Sequence, residues 1–236
     1  MLWRAWPEGH SYDLETLGEL FGEGDPHVAK DSSGRYYLES SALLDSSGQL
    51  DDDAAEALVR HMNGAARAAY RGFRPVHRGQ YTAPDGTVHI VGKGGVSLRL
   101  HENEAFETVE PASPAVPGTS RGSRYLKLAE QEESVATALR ILGRPEPLDW
   151  YDLYKLWEIV EHAVGGTSQV VAQGWATKAD IGRFTASANH PGISGDQARH
   201  ARLKGVPGQD LVMPMPEGDA FVRRLIANWI ESHPDR

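Results

Sequence analysis

The sequence predicts an α+β fold: a small antiparallel sheet with two helices, followed by an all-α bundle of about five helices. Three observations carry that expectation. Apolar and polar residues alternate over Val96–Leu100, as a half-buried strand requires, and a Pro84-Asp85-Gly86 turn separates two stretches that read as a hairpin. Apolar residues recur at helical spacing at Leu14, Leu17, Leu20 and Phe21, and again at Leu58, Met62, Ala65 and Ala69. Beyond residue 123 nearly every segment reads as an amphipathic helix.

Taken in order, Ser11 to Asp13 can cap the first helix, and Gly22 and Gly24 stop it. Residues 35–44 (RYYLESSALL) read as a strand. Asp51, Asp52 and Asp53 then place three carboxylates at the positive end of a helix that runs to about Tyr70. Residues 73–82 and 87–91 flank the Pro-Asp-Gly turn as a hairpin, and 96–100 adds one more strand. The stretch 109–123 holds three prolines, two glycines and three serines, which block regular structure, so it reads as a linker between a domain at 1–108 and a bundle at 124–236.

In the second half, Leu128, Val135, Leu139 and Leu142 line one helix ended by Gly143 and Pro145. Leu153, Leu156, Trp157, Val160 and Val164 form the stripe of the next, stopped by Gly165-Gly166. Thr177 with Asp180, and Ser194 with Gln197, have the spacing of capping boxes and start two further helices. Phe221, Val222, Leu225, Ile226, Trp229 and Ile230 face inward on a closing helix.

Composition narrows the function classes. The chain has 236 residues and no cysteine, which excludes disulfides and thiolate metal sites. No apolar run approaches the roughly 20 residues of a membrane span, and the N-terminal residues lack the pattern of a secretory signal. The expectation is a soluble cytoplasmic protein without cofactor or membrane contact. The net charge of −9 is concentrated before residue 122, where 18 acidic residues face 11 basic ones. Any surface for an anionic partner must therefore be local. The window 178–204 supplies a candidate: Lys178, Arg183, Arg199, Arg202 and Lys204 against Asp180 and Asp196.

That window also holds the candidate chemistry. Asn189 and His190 end one helix, and Arg199 and His200 lie in the next, with Asp196 four residues before His200 and able to orient its ring. Two imidazoles could move protons while Arg183 and Arg199 stabilise charge on a phosphodiester. Arg183, His190, Arg199 and His200 are the candidate catalytic set; Lys178, Asn189, Asp196, Arg202 and Lys204 are the candidate binding set. The alternative reading of the same residues is a structural network tying a loop to the bundle. A further set, Glu158, His162, His190, Asp196 and His200, has metal-ligating side chains, but its spacing does not force convergence and no metal is assigned.

A bundle containing residues 153–158 (LYKLWE), with Arg and His near the start of a late helix and an amphipathic closing helix, resembles the HEPN superfamily over residues 125–233. The nuclease signature of that group is Arg, four to six residues, then His, a pattern met by Arg183 and His190 with six between. The resemblance implies a usually dimeric helical protein of a bacterial defence or regulatory system. It would be either a metal-independent ribonuclease or RNA binder, or a non-catalytic module. Two classes thus stand open: an enzyme or binder acting on RNA, and a non-enzymatic interaction protein whose bundle mediates dimerisation or docks a protein partner.

Overall fold

The computed structural model describes residues 3–91, 97–100, 120–194 and 212–234. Six strands form one antiparallel sheet: β1 (Arg4–Ala5), β2 (His27–Lys30), β3 (Tyr36–Glu39), β4 (Tyr81–Thr82), β5 (Val88–Val91) and β6 (Ser97–Leu100), in the order β2-β3-β1-β4-β5-β6. Ala5 stands opposite both Leu38 and Tyr81, so the short β1 sits at the middle of the sheet. Because side chains alternate along a strand, Ala5, Val28, Leu38 and Tyr81 face the core. Arg4 and Tyr37 face the other way, with the Arg4 guanidinium 4.2 Å from the Tyr37 ring centre.

Helix α1 (Ser11–Leu20) buries Leu17 and Leu20 and starts from His10, whose ring accepts from the Tyr12 amide. Its Asp13 is buried and accepts from both the backbone N–H and the Nε of Arg74, at 3.0 and 2.9 Å. Helix α2 (Asp52–Ala69) has Asp51 as its N-cap, bonded to the Ala54 amide, and two further aspartates in the first turn, as the carboxylate run foretells. Its residues 62–68 are all buried, which exceeds a single inner stripe. The reason is its position: α1, α3, α4 and α9 all pack against it.

The remaining helices are α3 (Arg121–Gln131), α4 (Glu133–Leu142), α5 (Trp150–Ala163), α6 (Thr167–Ala172), α7 (Lys178–Asn189), α8 (Pro191–Ser194) and α9 (Met215–Glu231). Among the described residues, no helix is long and apolar enough to cross a membrane. Buried apolar residues from Trp3 to Ile230 belong to one continuous core. Residues 109–119 of the expected linker lie outside the described residues; Arg121 already begins α3. Across that segment the two halves share the α2–α4 contact. There Gly64 lets the helices approach until a Cβ would overlap the Leu139 carbonyl oxygen, and Gly143 does the same against the Arg60 carbonyl.

Several elements differ from expectation. The strand predicted over 35–44 ends at Glu39, because Ser40 caps a 3₁₀ turn at Ser41–Leu43. Its hydroxyl and that of Ser41 bond Asp25. The first arm of the hairpin is shortened to Tyr81–Thr82, since buried Asn63 pairs its side-chain amide with Val76 at 2.8 and 3.0 Å and holds that stretch off the ladder. The helix expected through Leu128 and Leu142 is two helices broken at Glu132, whose extended backbone turns α4 so that both segments press on α2. β1, β2, α6 and α8 were not foreseen; each is six residues or fewer, too short for a periodic signal.

Candidate functional site

α7 begins as its sequence dictates. The Thr177 hydroxyl accepts from the Asp180 amide at 3.1 Å and Asp180 accepts from the Thr177 amide at 3.3 Å, a complete capping box. Lys178, in the first turn, is exposed. Ile181, Phe184 and Ala188 turn inward, where Phe184 packs between Trp150, Tyr154, Trp157 and Phe221 with ring centres 5.1–6.4 Å away.

Arg183 leaves the opposite side and is fully engaged. Its Nη1 donates to Glu217 Oε1 at 2.6 Å, and its Nη2 donates to Glu217 Oε2 at 3.0 Å and to the Val212 carbonyl at 3.1 Å. This fork-on-fork pairing holds the guanidinium above its ordinary pKa, with the Glu217 hydrogen bond as the main cause. One turn later the buried Ser187 hydroxyl accepts from the Met213 amide at 2.7 Å. Arg183 and Ser187 thus clamp the segment that leads into α9.

His190 is the C-cap of α7 and only 8 % exposed. Its Nδ1 accepts from the Gly192 amide at 3.0 Å, so in the neutral ring the proton sits on Nε2. Its carbonyl accepts from the amides of Ile193 and Ser194, starting α8. Asn189 beside it is half-buried, with its Oδ1 enclosed and without a hydrogen-bond partner among the described residues. Arg183 and His190 are seven residues apart, so their backbones stand about 10 Å apart along the axis. Helix geometry alone does not join them at one reacting atom. The other candidates, Asp196, Arg199, His200, Arg202 and Lys204, lie outside the described residues, as does Gln197 of the expected capping box; Ser194 ends α8, and its hydroxyl donates to the His190 carbonyl at 3.2 Å. Among the described residues no three His or carboxylate side chains form a metal cluster.

Two concavities escaped sequence reasoning. One, of about 400 Å³, opens beside α7 and is walled by Arg71, Asp180, Met213, Glu217, Phe221 and Arg224 among others. The other, of about 420 Å³, lies at the end of the sheet near Trp6, Glu15, Lys30, Arg35 and Tyr36, where Arg35 stacks on Trp6 at 4.5 Å and Lys30 on Tyr36 at 4.7 Å. Neither has a sequence signature, because each gathers residues from distant segments. Comparison with protein families, curated proteins and solved structures finds no match for this chain.

Proposed function

We propose that this protein is a non-enzymatic binding protein, of the non-catalytic kind that the HEPN resemblance also allows. One observation carries the reading: the two described members of the candidate catalytic set are committed to holding the fold. Arg183 spends its guanidinium on Glu217 and Val212, and His190 is buried with Nδ1 taken by the Gly192 amide. A general base must reach the proton it removes, and a guanidinium that stabilises a phosphorane must be presented to it. A helix-capping imidazole and a doubly paired arginine suit a scaffold better. The bundle would then dimerise or dock a partner, and the acidic first half would add a second surface.

The test is RNA turnover read beside stability. Purified wild type incubated with structured and single-stranded RNA should leave it intact, and both Arg183→Lys and His190→Gln should lower the melting temperature. Light scattering reads the dimer that the resemblance implies. RNA cleavage by the wild type, lost in a His190→Gln protein that melts like wild type, would establish the ribonuclease reading instead.

A further inference from the structure

We infer that the cleft beside α7 binds a small molecule carrying a dianionic phosphate or diphosphate group, held between Arg71 and Arg224. The inference rests on a local charge balance opposite to that of the whole chain, whose net charge is −9. Of the two carboxylates on the wall, Glu217 takes both forks of Arg183, while Asp180 accepts from the neutral Thr177 hydroxyl and amide and keeps its charge, which the Arg224 and Arg183 cations help to stabilise. Arg71 and Arg224 are exposed, and among the described residues neither makes an ion pair. Three guanidinium groups, Arg71, Arg183 and Arg224, thus stand beside two carboxylates, Asp180 and Glu217, a local surplus of positive charge in which Arg71 and Arg224 hold no direct ion pair among the described residues.

Its construction favours an anion over a second protein surface. Arg224 lies 5.7 Å from the centre of the buried Phe221 ring, which limits where the guanidinium can go. Arg71 follows directly on the end of α2 and so reaches the cleft from the first half of the chain, while Arg224 and Glu217 come from α9. Two guanidinium forks match the oxygens of a phosphate or diphosphate better than they match a single carboxylate. A volume of about 400 Å³ suits a small phosphorylated molecule rather than a bare ion, and pockets for such ligands span roughly 300–1,000 Å³. The inference goes beyond the non-catalytic reading and does not need it, since it is read by binding and not by turnover.

The experiment is a thermal-shift and calorimetric titration of the full chain with pyrophosphate and with inorganic phosphate, at matched ionic strength. Pyrophosphate is expected to bind saturably and more tightly than phosphate, raising the melting temperature by roughly 3–6 °C at ten times its Kd. Arg71→Gln with Arg224→Gln should abolish the shift, Arg71→Lys with Arg224→Lys should weaken it, and Arg140→Gln on α4 should leave it intact. Both cleft arginines are exposed, so the variants should fold; their own melting curves check this. A shift that does not saturate, or that persists in the double glutamine variant, would overturn the assignment. So would binding of single-stranded RNA without any response to pyrophosphate.

Discussion

The Arg67 guanidinium on α2 donates from Nη1 to the Leu142 carbonyl at 2.7 Å, at the C-terminal end of α4. The same nitrogen reaches the Arg144 carbonyl at 2.8 Å. A buried side chain from the first half thus satisfies carbonyls that the last turn of a helix in the second half leaves without partners. Burial, with the Arg223 cation nearby, lowers the Arg67 pKa to about 10, and Asp219 opposes the shift.

Replacing Arg67 with methionine keeps most of the volume but strands both carbonyls. Each buried polar group left unsatisfied costs about 1–3 kcal/mol, so Arg67→Met should lose at least that much, read from urea unfolding. An unchanged midpoint would mean that water replaces the guanidinium.

Two glycines on helices should respond to alanine with opposite signs. Alanine is favoured over glycine inside a helix by about 1 kcal/mol. At Gly182 on α7 a Cβ meets nothing within 4 Å, so Gly182→Ala should stabilise by about 0.5–1 kcal/mol. At Gly64 the Cβ would strike the Leu139 backbone, and overpacking of this kind costs about 1–3 kcal/mol. Gly64→Ala should therefore be a net loss in the same unfolding assay.

His61 sets an acid limit. Burial lowers its pKa from the ordinary 6.5, and the neighbouring Arg140 and Arg60 cations act in the same direction. The unfolded chain then binds this proton more readily than the folded one, so the contribution is fully present above pH 6.5 and is lost as pH falls below it. The melting temperature should drop between pH 7 and 5, and His61→Leu should flatten that part of the profile. A profile identical in the two proteins would place the acid sensitivity elsewhere.

Tyr125 and Glu231 close the bundle. The phenol donates to Glu231 Oε1 at 2.5 Å, and burial together with that carboxylate pushes its pKa up to about 12. Burial tends to raise the Glu231 pKa, yet the bonds from Tyr125, Arg121 and Arg124 together pull it below its ordinary value. Tyr125→Phe should cost about 1.5–3 kcal/mol, the range for a hydrogen bond to a charged partner. A cost near zero would show that the two arginines suffice.

Legibility followed the range of the interactions. The capping box at Thr177, the aspartates that start α2 and the apolar stripes of α5 and α9 depend on residues within a few positions of one another, and all stand where the sequence placed them. Glu132 shows the limit. No glycine or proline marks it, yet the helix breaks there because α3 and α4 must both lie against α2. Of the candidate site, Arg183 and His190 were legible as residues but not in their roles. An arginine in a pattern looks the same whether it awaits a phosphate or grips a glutamate 34 residues away.

The sequence by itself determined the α+β class, the principal helices with their caps and inner faces, and the absence of cysteine chemistry. Tertiary structure decided which charges are matched, that β1 lies at the centre of the sheet, and that Arg71 and Arg224 line one cleft. The physical reason is range. Helix periodicity and capping are encoded in neighbouring residues, whereas burial and charge pairing arise when distant segments are packed into one core, and no local pattern records that meeting.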